Sequence, residues 1–280
     1  MILSIVVGID IGGSTTKIAG FKNGTVINPM LVRASDPVAS AYGAFGRFLS
    51  INGLSLSDVN KVMVTGVGSS FISAPLFGLE TQKVDEFKCI GMGGLFLSKL
   101  EKCIVISMGT GTALVLAYDN TTRHLGGTGI GGGTLLGLSK LLLKIHNYQD
   151  LVKTAEGGNL SNIDLSIGDI TKDLIPGLPS EATASNFGKI SDLASREDIA
   201  MGIINMVFQT IGKVAIFAAR AEGLKDMVLT GNLTKIPQSQ EVFDRLGRMF
   251  GVKFHKPYYA EYCTAIGAAI SYEHHVNTKS

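Results

Sequence analysis

The chain has 280 residues, a formal net charge of +2, 45% apolar side chains and 17% charged ones. That length holds two compact lobes with a substantial core, and the apolar share excludes a disordered chain. The near-neutral charge argues against a general nucleic-acid surface and for a small-molecule partner.

In chain order, residues 1–7 are apolar and lack a basic start, so they read as a first strand rather than a secretory signal, and the expected location is the cytoplasm. Strand-like runs at 5–9, 16–21, 62–65, 103–108, 113–118 and 227–230 alternate with helical stretches, the pattern of an α/β architecture with mixed sheets. Apolar spacing predicts helices over 42–49 and 87–100, with Asp36-Pro37 and Val84-Asp85-Glu86 as their starts. Two more are expected at 135–145 and 199–220, the latter opened by Ser195 with Arg196, Glu197 and Asp198 in its first turn. No apolar stretch reads as approaching the roughly 20 residues of a membrane span. Residues 156–189, with few periodic apolar positions, read as an insertion, and a boundary near residue 100 divides the chain into lobes 1–100 and 101–280. Cys89, Cys103 and Cys263 are too scattered for a disulfide framework, a zinc site or an iron–sulfur cluster, and are expected as buried small hydrophobes. His146, His255, His274 and His275 show no ligand spacing. Arg245, Arg248 and Lys253 read as a solvated basic face.

The chain also repeats itself. The segment from Val7 to Phe21, an apolar strand, a Gly/Ser/Thr turn and a second strand, recurs in order from Ile104 to Tyr118, and Val62-Met63-Val64-Thr65-Gly66 is echoed by Met227-Val228-Leu229-Thr230-Gly231. Two phosphate-sized turns imply one polyphosphate held between two halves. The first turn supplies permissive glycines at Gly12 and Gly13, hydroxyls at Ser14, Thr15 and Thr16, and an ammonium at Lys17. Asp10 at the strand end suits Mg²⁺ held through water; the alternative is a plain glycine-rich hairpin. In the second turn, Gly109-Thr110-Gly111-Thr112, Ser107 and Leu114 stand in the places of Asp10 and Lys17, so the metal belongs to the first. The run Gly126-Gly127-Thr128-Gly129-Ile130-Gly131-Gly132-Gly133-Thr134 leads into a helix at Leu135-Leu136, and reads as an anion cradle through free N–H groups or, alternatively, as a hinge loop. It fits neither a Walker turn nor the dinucleotide fingerprint.

Taken together, GIDIGGSTTK, the VDEF box, SMGTGT, RHLGGTGIGGGT, Ile145-His146-Asn147-Tyr148, Ser185-Asn186-Phe187-Gly188, Leu229-Thr230-Gly231-Asn232 and Lys256-Pro257-Tyr258-Tyr259 leading to Gly267-Ala268 resemble a type II pantothenate kinase. That family sits in the superfamily of acetate and sugar kinases, actin and the chaperone ATPases. The resemblance implies a two-lobed, duplicated actin-like ATPase fold with a central nucleotide cleft. It implies ATP- and Mg²⁺-dependent phosphorylation of pantothenate to 4'-phosphopantothenate, the first step of coenzyme A biosynthesis, by a cytoplasmic homodimer. By position, Asp10, Gly12, Gly13, Ser14, Thr15, Thr16 and Lys17 would hold phosphates, with Gly109, Thr110, Gly111 and Thr112 as the second phosphate contact. Gly132, Gly133, Thr134, Leu135, Leu136, Tyr148 and Asn232 would take the nucleotide's far side.

The family's catalytic base falls on Glu86, with Asp85 as helix cap, although an acidic pair is also an ordinary helix start. Arg123, His124 and Tyr259 are the substrate-binding candidates. The family usually carries an arginine where this chain has His124, and Arg123 next to it is the residue to reach in instead. A same-fold kinase of another small alcohol, such as an amino sugar, and a non-catalytic ATP-binding regulatory module are the alternatives.

Overall fold

The computed structural model describes residues 5–13, 15–33, 36–173, 175, 176 and 179–277, with side chains as far as residue 272. The first four residues of the expected opening strand, and the side chains of His274 and His275, lie outside the described residues.

The first half runs β1 (Ile5–Ile11), β2 (Thr16–Lys22), β3 (Thr25–Val32), α1 (Pro37–Asn52), β4 (Val59–Thr65), β5 (Thr81–Lys83) and α2 (Glu86–Ser98). The second begins with β6 (Lys102–Met108), β7 (Thr112–Tyr118) and β8 (Thr121–Thr128), then α3 (Gly132–Leu138) and α4 (Tyr148–Thr154). An excursion of β9 (Leu165–Ser166), α5 (Ile167–Ile170) and β10 (Thr183–Ser185) precedes α6 (Arg196–Ala221), β11 (Asp226–Thr230), α7 (Pro237–Phe250), β12 (Lys253–His255) and α8 (Cys263–Asn277).

The duplication read from the sequence is a duplication of topology. One sheet has the order β3-β2-β1-β4-β5 and the other β8-β7-β6-β11-β12. In each, the first three strands pair antiparallel and the last two add in parallel. The central strands are continuous apolar runs because helices cover both faces of each sheet. Along β1, Val7, Ile9 and Ile11 pack with Phe45 and Phe48 of α1, and burying each phenylalanine contributes about 2 kcal/mol. On the opposite face, Val6 meets Ala265, Ala268 and Ala269 of α8. Along β6, Ile104 and Ile106 face α6 and α7, whereas Cys103 and Val105 face Ile90 of α2.

The two inner helices therefore exchange sheets. α8, last in the chain, lies on the first sheet, and α2 lies on the second. They cross where a side chain at Gly267 would collide with the carbonyl of Cys89, and one at Gly93 with the carbonyl of Cys263. Glycine at these positions lets the backbones touch.

The helix caps follow the sequence. Asp36 accepts from the Ala39 N–H at the start of α1, Asp85 from the Lys88 N–H at the start of α2, and Ser195 forms a capping box with Asp198. All three cysteines are buried and free.

Several expectations are corrected. The third strand of each repeat was not expected, because both are half-exposed edge strands, β3 interrupted by Pro29 and β8 rich in polar residues and glycine. Gly126, Gly127 and Thr128 thus belong to a strand and not to a loop. The helix expected over 135–145 is α3 followed by a π-helical turn at Ser139–Leu143. α6 is, against expectation, long and apolar enough to span a membrane, but 67% of its most apolar window is buried inside the fold. Nor is Arg245 solvated: its guanidinium donates to Asn205 Oδ1 at 2.6 Å. The Asn205 amide in turn donates to Asp164 at 2.6 Å, and Asp164 accepts from the Phe187 N–H at 2.9 Å, so this network fastens the excursion to α6 and α7. His255 pairs with Asp226 at 2.7 Å.

Candidate active site

Both hairpin turns open at the same ends of their sheets, and between them lies a cavity of about 740 Å³. Asp10 stands one residue from the end of β1, opposite Lys17 on β2 and Thr65 on β4. Its carboxylate is 3.7 Å from the Lys17 ammonium, and each side chain is only 10% exposed. Burial pushes the Asp10 carboxyl above its ordinary range, and the Lys17 charge pulls it back. Gly66 follows β4 with φ +84°; a Cβ there would lie 2.6 Å from Asp10 Oδ1 and 2.6 Å from the Ile11 carbonyl. Gly231 follows β11 with φ +90°, against the backbone of Met108. The paired Thr-Gly echoes thus mark the two places where the strand end must come close beneath a turn.

Glu86 is the first residue of α2 and lines the same cavity. It is half-buried, and burial pushes its carboxyl up, with the charge of Asp10 adding, Lys17 opposing and Asp85 adding. A carboxylate so placed is a better proton acceptor near neutrality than an exposed one.

The two turns differ by one residue. In the first, Ile11 pairs with Thr16 across four residues, and the Gly12 N–H donates to the Thr15 carbonyl at 3.0 Å. In the second, Met108 pairs with Thr112 across three, and the Gly109 N–H donates to the Gly111 carbonyl at 2.9 Å. The residue in the place of Lys17 is therefore Ala113, not Leu114, because the shorter loop shifts the register. Ser107 does stand in the place of Asp10.

The glycine run is not a set of free amides. Gly132 N–H donates to the Gly109 carbonyl and Gly133 N–H to the Thr110 carbonyl, each at 2.9 Å, so the run clamps the second turn. The Thr134 hydroxyl donates to the Gly129 carbonyl, and Leu135 is buried in the core of the second half. Thr16 and Thr112 also turn away: Thr16 accepts from Ser40 Oγ, and Thr112 donates to the Ile130 carbonyl at 2.8 Å.

From the first half, the cavity is lined by Asp10, Gly12, Gly13, Thr15, Lys17 and Glu86; from the second, by Gly109, Thr110, Leu136, Tyr148 and Asn232. Thr16, Gly111, Thr112, Gly132, Gly133, Thr134 and Leu135 lie behind that wall, and Ser14 lies outside the described residues. The Asn232 amide reaches across to Thr15 Oγ1 at 3.4 Å, while its own oxygen is buried without a partner among the described residues. Tyr148 is half-buried, its phenol pushed up by burial and drawn back by Arg33.

The three substrate candidates lie outside the cavity wall. Arg123 does not reach in: its guanidinium pairs with Glu222 through two contacts of 2.8 Å at the far end of α6. His124 lies on the ring of Phe87, next to Glu86. Tyr259, with φ +64°, packs against Tyr258 with ring centroids 4.2 Å apart and planes inclined by 53°. Other lining residues have no role assigned by the sequence: Arg33 and Leu31 near the end of β3, His146 of the Ile145–Tyr148 motif, Lys235 paired with Glu261 at 2.9 Å, and an apolar floor of Val152, Leu233 and Ile236. Only their place in the tertiary fold marks them.

The model of the Fumble family matches residues 101–271. The type II pantothenate kinase of Bacillus cereus strain G9842 is 27% identical over 242 residues, 81% of this chain and 83% of that one. The type II pantothenate kinase of Staphylococcus saprophyticus is 29% identical over 235 residues, 81% and 84% of the two chains. Among solved structures, the activator of the 2-hydroxyisocaproyl-CoA dehydratase from Clostridium difficile with bound ADPNP superposes with a TM-score of 0.70 at 18% identity, covering 98% of this chain and 97% of that one. The fold is that of the actin-like ATPases.

Proposed function

The chain belongs to the Fumble family of type II pantothenate kinases, and from that membership we propose that it transfers the γ-phosphoryl group of ATP to the primary hydroxyl of pantothenate, releasing 4'-phosphopantothenate and ADP as the first step of coenzyme A biosynthesis. The observation that carries this reading is the meeting of Glu86, Asp10 and Lys17 at the wall of one cavity bounded by both glycine turns. Glu86 accepts the proton of the acceptor hydroxyl as that oxygen bonds to the γ-phosphorus, and its raised pKa suits the task. Lys17 offsets the charge gathering on the phosphoryl oxygens. Backbone groups of the two turns hold the phosphates, while Leu136, Val152 and Ile236 offer an apolar wall to the base.

Asp10 fits a magnesium ion, because its buried carboxylate has an ammonium at 3.7 Å, beyond hydrogen-bond distance, and faces the cavity. Among the described residues no group of three or more His, Cys, Asp or Glu gathers, which suits an ion that keeps its waters and borrows a single carboxylate. When bound there, magnesium supplies charge neutralisation at the phosphates. Closure of the two halves, each sheet moving with the helices packed on it (α8 with the first, α2 with the second) rather than as segments 1–100 and 101–280, excludes water from the transfer. The same membership leads to a cytoplasmic homodimer.

The test is a coupled assay of ADP release with pantothenate, N-acetylhexosamines and no acceptor. Pantothenate-dependent release supports the reading. Release with an amino sugar alone would make the protein another small-alcohol kinase, and nucleotide binding without any acceptor-dependent release would make it a regulatory module.

A further inference from the structure

Resting on the nucleotide reading above, we propose that Arg33 is a phosphate-binding residue, clamping the polyphosphate of a nucleoside triphosphate from the first half's rim of the cavity. The register of the first sheet pairs Thr16 with Val32, so Arg33, the next residue, lies alongside Thr15 of the first turn. Its side chain is exposed and lines the cavity. Tyr148 of the second half lines the same cavity, its phenol pushed up by burial and drawn back by the Arg33 charge. Arg33 therefore stands where the two halves come together over the turns.

Each of the other lysine and arginine side chains of the region has a carboxylate close by. Lys17 pairs with Asp10, Lys235 with Glu261 at 2.9 Å, and Arg123, outside the cavity, with Glu222. Among the described residues Arg33 makes no ion pair. Asp10 and Glu86 both line the cavity, so a polyphosphate entering it meets two carboxylates and only one of these ammonium groups at the first turn. A planar guanidinium with five fixed donors matches phosphate oxygens in pairs, which a point charge does not. An anchor just past the edge strand of one half, on the same cavity as Tyr148 of the other, also ties nucleotide binding to the approach of the halves.

Calorimetric titration of ADPNP with Mg²⁺, and separately of adenosine, into the wild-type protein, Arg33→Ala and Arg33→Lys tests this, alongside KM for ATP and for pantothenate. The expected result is that Arg33→Ala weakens ADPNP by about tenfold or more, the scale of a lost charge-assisted bond. Adenosine affinity and KM for pantothenate should stay unchanged, and Arg33→Lys should recover only part of the loss. Because the side chain is exposed and makes no ion pair among the described residues, both variants should keep the wild-type melting temperature. ADPNP affinity in Arg33→Ala within twofold of wild type overturns the proposal while leaving the kinase reading intact. Equal losses for ADPNP and adenosine, or a rise confined to KM for pantothenate, also overturn it, by moving Arg33 to the nucleoside or to the acceptor. If the wild type binds neither probe, the nucleotide reading itself fails and this proposal with it.

Discussion

The imidazole of His124 lies flat on the ring of Phe87, with centroids 3.9 Å apart and planes inclined by 9°. Phe87 directly follows Glu86, so a residue of the second sheet's edge strand steadies the helix start that carries the proposed base. Stacked pairs are worth about 1 kcal/mol. His124→Ala should destabilise the protein by that amount and reduce kcat several-fold, with KM for ATP unchanged because His124 lies outside the cavity. His124→Phe should restore both. If His124→Phe is as slow as His124→Ala, the imidazole nitrogens act on substrate and the stacking role is wrong.

Lys17→Met should destabilise the protein by about 3 kcal/mol at neutral pH, because it leaves the buried Asp10 carboxylate without its countercharge. The pH dependence has a definite sign. Asp10 already has a folded pKa above its ordinary value of 3.8, and loss of Lys17 raises it further. The native state then holds its proton more tightly than the unfolded chain, so stability declines as pH rises through the folded pKa. The deficit of the variant should be largest at neutral pH and vanish below about pH 3.8. Urea denaturation across that range measures it, and a deficit that grows on acidification would contradict the pairing.

Topology was more legible in the sequence than the site was. The repeated strand-turn-strand and the Thr65-Gly66 and Thr230-Gly231 echoes are local patterns, and they fall at equivalent places in two sheets of identical strand order. The one-residue difference between the turns was invisible, because Thr16 and Thr112 can be aligned only once their partners Ile11 and Met108 are known. β3 and β8 were missed for a physical reason: an edge strand need bury only part of its surface, so Pro29 and Gly126 are tolerated and the apolar alternation is lost. The exchange of α2 and α8 between sheets, the pairing of Arg123 with Glu222 and the position of Arg33 are non-local, and no periodicity announces them.

Gly66→Ala should be among the most damaging single-methyl changes in the chain. The φ of +84° disfavours any side chain, and the new methyl would press on Asp10 Oδ1 and the Ile11 carbonyl at 2.6 Å. Backbone strain alone costs about 1–2 kcal/mol, and displacement of Asp10 should abolish phosphoryl transfer. Gly43→Ala, in the body of α1 with nothing within 4 Å, is the matched control. It should stabilise by about 0.5–1 kcal/mol, the usual helix preference for alanine. Thermal melts of the two variants decide this, and equal effects would refute the steric account.

Thiol chemistry should be silent in the folded protein. Cys89 and Cys103 are buried, and burial pushes each thiol up to about 12; Cys263 is pushed up as well. A thiol held protonated and out of solvent does not react. Titration with a thiol reagent should find none of the three in the native state and all three in denaturant, and rapid labelling of any one would show that its element opens.

Glu86→Gln should stop phosphoryl transfer while nucleotide affinity stays within twofold, since the base acts only on the acceptor hydroxyl. In the wild type the acid limb of kcat/KM should fall above 4.5, the ordinary glutamate value, because burial and Asp10 both hold the Glu86 carboxyl up. Asp85 adds to that shift and caps α2 by accepting from the Lys88 N–H at 2.8 Å. Asparagine caps as well as aspartate does but carries no charge. Asp85→Asn should therefore keep the helix start and move the acid limb downward, since a lost neighbouring anion makes Glu86 easier to ionise. An acid limb that stays in place would separate Glu86 from the titrating base, and one that moves upward would reverse the sign on which its assignment depends.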